Sequence, residues 1–154
     1  MSPNRWEKIL DERDWLLADG ATGTNYFAMG LQSGDSPELW NVDHPERVAS
    51  LHRQFVESGA DIILTNSFGG SAYRLKLHQA ESRVSELNSA AAQIARGVAD
   101  VSDRQVIVAG SIGPTGEILE PVGSFSISDA AAAFEEQAAA LVEGGVDLGG
   151  RRTM

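Results

Sequence analysis

Three short apolar runs in this chain stop at polar residues that open glycine-rich loops, and those polar residues are the ones placed to do chemistry. Leu16-Leu17-Ala18 ends at Asp19 and enters Gly20-Ala21-Thr22-Gly23-Thr24; Ile62-Ile63-Leu64 ends at Thr65-Asn66 and enters Ser67-Phe68-Gly69-Gly70. Val106-Ile107-Val108-Ala109 enters Gly110-Ser111-Ile112-Gly113-Pro114-Thr115-Gly116. A buried parallel strand reads as a continuous apolar run, and its carboxyl end is where α/β folds gather ligand-binding groups. Three strands ending alike imply one shared mouth. Each residue also has a plainer reading. Asp19 can cap the turn at 20–25, Thr65-Asn66 can open an Asx or ST turn, and Gly113-Pro114 is a turn signal in itself. Thr22-Gly23-Thr24 lacks the GxGxxG order of a phosphate cradle.

The elements that must position these ends follow from periodicity. Residues 5–14 read as a leading helix with Trp6, Ile9 and Leu10 on one side, followed by a first strand at 15–18. A long connection at 20–41 leads to a helix opening near Asp43-His44-Pro45-Glu46, where Asp caps and Pro suits the first turn. Val48, Leu51, Phe55 and Val56 recur at helical spacing, Gly59 ends the helix, and 61–64 is the second strand. A helix over 81–99 carries Val84, Leu87, Ala91, Ile94 and Val98 as its buried stripe. The third strand spans 105–109, and a last helix opens at Ser128 and ends at Gly144-Gly145. Strand–helix alternation at a period of ~40 residues signals βαβ units and a parallel sheet, and right-handed crossovers curl it one way, as in a barrel wall. A doubly wound sheet is the structural alternative.

An internal echo, Glu57-Ser58-Gly59-Ala60-Asp61-Ile62 against Glu143-Gly144-Gly145-Val146-Asp147-Leu148, exposes a problem at the end. The second copy continues as Gly149-Gly150-Arg151-Arg152, which is unsuited to a buried central strand because the glycines weaken it and the arginines would be desolvated unpaired.

Four ordered segments, ADGATGTN, PELWNVDHPE, LTNSFGG and VAGSIGPTGEILEP, resemble the first half of homocysteine S-methyltransferase domains, over about residues 15–147. The resemblance implies a (β/α)8 barrel of which this chain is the N-terminal half. It would be a single partial domain over 1–154, with a leading helix at about 4–14 and a fourth strand disrupted at 149–152. It implies that Asp19 helps hold the homocysteine ammonium, that the Gly20 and Ala21 backbone meets the amino acid's polar end, and that Thr65 and Asn66 face the substrate pocket. The family activates the homocysteine sulfur with zinc held by cysteine thiolates and transfers a methyl group from a small donor, giving methionine. The donor is betaine, a methylsulfonium compound or a methylfolate. The betaine-using branch has a tyrosine at about Gly69, so the donor stays open. The family's fourth strand ends in a glutamate before a Thr-Met-like pair, of which Thr153-Met154 is the candidate remnant.

This chain has no cysteine, so no zinc is expected in it, no catalytic residue is assigned, and catalysis by these 154 residues alone is not expected. His44, His52 and His78 are scattered and read as surface residues. Trp40 either lines the mouth or packs under the long loop. The length falls short of the ~250 residues of a complete barrel, and open barrel edges favour self-association. A net charge of −10 argues against nucleic acid or anionic membrane as partner, and seven acidic residues without a basic one over 105–150 read as a solvated surface. No apolar run approaches the ~20 residues that span a bilayer, and with neither an export signal nor disulfides the expected location is the cytoplasm. Two other classes stay open: a half-barrel that pairs with itself or a second half, and another α/β enzyme using Asp19 and Asn66 without metal.

Overall fold

The computed structural model describes residues 5–151. Among them the strands β1 (Ile62–Leu64), β2 (Ile107–Ile112) and β3 (Leu148–Arg151) form a parallel sheet in the order β1-β2-β3. The helices are α1 (Arg5–Glu12), α2 (Gly23–Ala28), α3 (Trp40–Asp43), α4 (Pro45–Glu57), α5 (Ala72–Leu75), α6 (Val84–Asp100) and α7 (Ile127–Gly144). The α/β alternation with parallel strands is therefore present. Ile63 and Val108, aligned in the register, are fully buried with Ala95 and Ala99 of α6 and with Ala60 and Val106. Their neighbours Leu64, Ala109 and Leu148 lie on the other face and are only half-buried.

The first expected strand is a single parallel bridge, Ala18 to Ile62, rather than a strand over 15–18. Leu17 O accepts from Asp61 N and Ile62 N, and Asp19 N donates to Ile62 O, while Trp15 and Leu17 remain exposed. One neighbouring strand is too little to order four residues as a ladder. The connection at 20–41 is also more regular than expected, since α2 lies within it, α3 begins at its end, and Tyr26, Leu31 and Trp40 bury there with Val48 and Leu51 of α4.

Two helix starts differ from the sequence reading. Asp43 ends α3 and makes no cap, and His44 precedes Pro45 in the N-cap position of α4. The hydroxyl that accepts the Asp129 amide and opens α7 is Ser126, not Ser128. β2 runs to Ile112, three residues beyond the expected end. Gly110 continues it because Leu141 of α7 fills the place of a side chain, 3.1 Å from where a Cβ would stand.

The segment expected to be a disrupted strand pairs as one: Leu148 with Ala109, Gly149 with Gly110, Gly150 with Ser111 and Arg151 with Ile112. Glycine removes side chains but keeps the backbone donors and acceptors that a ladder needs, and β3 sits at the sheet edge rather than its centre. Arg152, Thr153 and Met154 lie outside the described residues, as does residue 4 of the expected leading helix.

The internal echo is a repeated device. Gly59 (φ +107°) and Gly145 (φ +101°) leave α4 and α7 in the left-handed region that favours glycine. Two residues on, Asp61 and Asp147 open the next strands and bond the strand before them. Asp61 Oδ2 accepts from Leu17 N at 3.0 Å and Asp147 Oδ2 from Val108 N at 2.9 Å. Each carboxylate also meets arginine: Asp61 meets Arg13 at 2.7 Å and Arg104 at 3.2 Å, and Asp147 meets Arg96 at 2.7 Å.

Candidate functional site

At the opposite ends of the strands the same logic recurs with different side chains. Asp19 Oδ2 accepts the Leu64 amide at 2.9 Å, and Thr65 Oγ1 accepts the Ser111 amide at 2.9 Å. Each strand-end side chain thus bonds the backbone of the next strand, which draws Asp19, Thr65 and Ser111 to one face. They border a cavity of about 400 Å³ that Gly20, Thr22, Glu38, Asn66, Arg74 and His78 also line.

Asp19 does not cap the turn at 20–25; its carboxylate reaches across to β1. Burial pushes its pKa up to about 6, against the opposing pull of the Leu64 hydrogen bond. No basic side chain among the described residues pairs with it, so a cationic ligand group would relieve that cost.

Thr65 and Asn66 reach the cavity with their hydrogens already used. Ser67 Oγ donates its one proton to Ser111 O at 2.7 Å, so in the 2.6 Å contact between the two hydroxyls Thr65 is the donor. With Ser111 N donating to it, the Thr65 hydroxyl has only an acceptor position left. Asn66 Nδ2 spends both hydrogens, on Pro37 O at 2.7 Å and Asn41 Oδ1 at 3.0 Å. Both residues shape the mouth. Ala21 is exposed and does not line the cavity, its carbonyl being taken by Asn25 Nδ2 at 2.6 Å.

The loop at 66–70 is held from behind by a belt of amides. Asn41 Nδ2 donates to Asn66 O at 2.8 Å, Gln137 Nε2 to Ser67 O at 2.6 Å and Asn88 Nδ2 to Gly70 O at 2.8 Å. Gln137 also donates to Asn88 Oδ1 at 3.1 Å. Sequence reading missed the belt, although Asn88 and Gln137 sit in the buried phase of α6 and α7, where an uncharged polar residue signals an internal partner. It also passed over Glu38, which is 5% exposed. The Glu38 carboxylate accepts from Ser36 Oγ at 2.6 Å and Gly69 N at 2.7 Å. Protein groups come close to the backbone at Gly69 and Gly70. A Cβ on Gly69 would stand 2.9 Å from Glu38 Oε1, and one on Gly70 would overlap the Asn88 and Gln137 amides. Tyr26 is fully buried beside this wall, its hydroxyl unpartnered and its pKa raised by burial and by the charges of Asp19 and Glu38.

Trp40 does not line the cavity; it packs against Tyr26 at 5.5 Å with Arg47 over its ring. The histidines are not uniformly on the surface. His52 is 1% exposed with neither ring nitrogen partnered, and burial pulls its pKa down to about 4. His78 borders the cavity, and His44 stacks edgewise on Trp40. Among the described residues no group of three or more His, Asp or Glu could hold a metal ion, and the sequence has no thiolate to offer. The residues present do not fit a thiolate-held zinc.

The sequence profile of the homocysteine S-methyltransferase family matches residues 16–154. The methionine synthase of Mycobacterium tuberculosis is 33% identical over 148 residues, 90% of this chain and 12% of that protein. That of Mycobacterium leprae is 30% identical over 141 residues, 86% of this chain and 12% of that protein. The homocysteine methyltransferase MmuM from Escherichia coli, in its oxidized form, superposes with a TM-score of 0.82 at 25% identity, over 95% of this chain and 55% of that one. The metallated form gives 0.81 at 25% identity, over 94% and 56%. The chain thus spans about half of the MmuM structure and a small part of the methionine synthases, and its sheet corresponds to a fragment of a homocysteine methyltransferase barrel. With this fold and this profile match, the chain belongs to the homocysteine S-methyltransferase family.

Proposed function

We propose that these 154 residues form the amino-acid-binding wall of a homocysteine S-methyltransferase, which moves a methyl group from a small donor to the homocysteine sulfur. The observation that carries the reading is Asp19: a half-buried carboxylate facing the shared cavity, without a cationic partner, at the position of the family's DG motif. In this reading Asp19 holds the ammonium of homocysteine and Gly20 lets its polar end come close to the backbone. Thr65 offers only an acceptor, and Asn66 sets the shape of the loop. Activation of the sulfur by thiolate-held zinc would need ligands from outside these residues, so we assign the chain binding and not turnover; betaine, a methylsulfonium compound or a methylfolate would serve as donor. Calorimetric titration of homocysteine into the chain tests the reading. Saturable binding that weakens on Asp19→Asn supports it, and the absence of binding overturns it.

A second reading, self-association, is favoured by the half-buried Leu64, Ala109 and Leu148 on the sheet face opposite Ile63 and Val108, because parallel sheets are ordinarily covered on both faces. Light scattering that returned a monomer mass across a wide concentration range would remove it.

A further inference from the structure

The cavity carries charges of both signs. Asp19, Asp35 and Glu38 line it, and so do Arg74 and His78. Arg74 is on α5, and His78 is on the turn that continues from it. Despite three carboxylates around the same space, Arg74 makes no ion pair among the described residues. Its side chain makes no hydrogen bond there either; its backbone amide donates to Ser71 Oγ and its carbonyl accepts a backbone amide at the end of α5. The side chain is nonetheless placed. Its Cδ and a guanidinium nitrogen lie 3.6 Å from where a Cβ on Gly116 would stand, in the loop that follows β2, and the adjacent Tyr73 packs against Phe125 at 4.6 Å. The backbone cradle expected at Gly20-Ala21 is incomplete, since Ala21 lies outside the cavity.

We propose that Arg74, with His78 beside it, receives the carboxylate of a zwitterionic ligand whose cationic end lies on the acidic side of the cavity. This rests on the reading of the cavity as a homocysteine site and adds to it a residue that distinguishes amino acids from amines. An arginine fork matches a carboxylate with two parallel hydrogen bonds, which an uncharged amide does not replace. The carboxylate could come from homocysteine or from a betaine-type donor; both present the same group.

The test titrates two ligand pairs into the wild-type chain and Arg74→Gln: homocysteine against homocysteamine, which lacks only the carboxylate, and glycine betaine against choline. The expected result is a loss of about tenfold or more in affinity for one carboxylate-bearing ligand on Arg74→Gln, with its carboxylate-free analogue unaffected. The affected pair identifies the source. Unchanged affinity for both acids, or equal weakening of an acid and its analogue, overturns the proposal while leaving homocysteine binding in place. Failure of the wild-type chain to bind either acid overturns it as well, and failure with homocysteine alone also removes the proposed function. A melting temperature within a degree or two of wild type separates the binding effect from misfolding.

Discussion

Replacing Asp19 with Asn and with Ala separates its two jobs. In the wild-type chain the carboxylate holds the Leu64 amide at 2.9 Å and faces the cavity. Asn keeps an acceptor for that amide and the same shape but loses the charge. Homocysteine affinity at pH 7.5 should fall by about 1.5–3 kcal/mol, roughly ten- to a hundredfold, the worth of a hydrogen bond to a charged group. Ala loses both functions and leaves the Leu64 amide without its partner, so it should lower stability by about 1–3 kcal/mol as well.

The pH dependence sharpens the test. Burial raises the Asp19 pKa from 3.8 to about 6. Its contribution to stability is therefore fully present below 3.8 and is lost as pH rises through about 6. Asn has no such loss and should match or exceed wild-type stability at pH 7.5. For binding the order reverses. Only the ionised carboxylate pairs with an ammonium, so wild-type affinity should fall about tenfold per unit below pH 6. Binding at pH 6 should also release part of a proton to the buffer. Calorimetry in two buffers of different ionisation enthalpy counts that proton, and Asp19→Asn controls for titration of the ligand itself. Wild-type affinity in Asp19→Asn, or no proton release at pH 6, would refute the reasoning.

The same arithmetic applies with the opposite sign to His52, whose pKa falls from 6.5 to about 4 in the fold. Its neutral form is favoured there, so stability should be full above pH 6.5 and decline as pH falls to about 4, by on the order of 3 kcal/mol. Because Asp19 titrates the other way in an overlapping window, urea unfolding in an Asp19→Asn background should show this slope, and adding His52→Leu should flatten it; an unchanged slope would disprove the assignment. Gln137→Leu removes the donor held by Ser67 O and Asn88 Oδ1; Ser67 O keeps the Gly70 amide, whereas Asn88 Oδ1 is left buried and unpaired at a cost of about 1–3 kcal/mol. Its urea midpoint should drop with the slope unchanged, and a midpoint equal to wild type would show that the belt does not hold the loop.

The alternation of strand and helix, the shared mouth and the family are legible in the amino-acid sequence. Those rest on local signals: apolar runs that stop at polar residues, helical stripes such as Val84-Leu87-Ala91, and glycines at 59 and 145 that end helices. It also placed Asp19, Gly20, Thr65 and Asn66 where the cavity opens. What those side chains are free to do depends on how the chain folds. Asn66 gives its two side-chain hydrogens to Asn41 and Pro37, 25 and 29 residues away, and Thr65 gives its one to Ser67 while accepting the amide of Ser111, 46 residues away. The folded chain likewise brought Glu38 and Arg74 to the cavity from short helical turns whose local pattern carries no such signal. It turned His52 inward and let Gly149 and Gly150 pair at a sheet edge. Composition and period govern which segments form, whereas hydrogen-bond partners and burial depend on which distant segments meet.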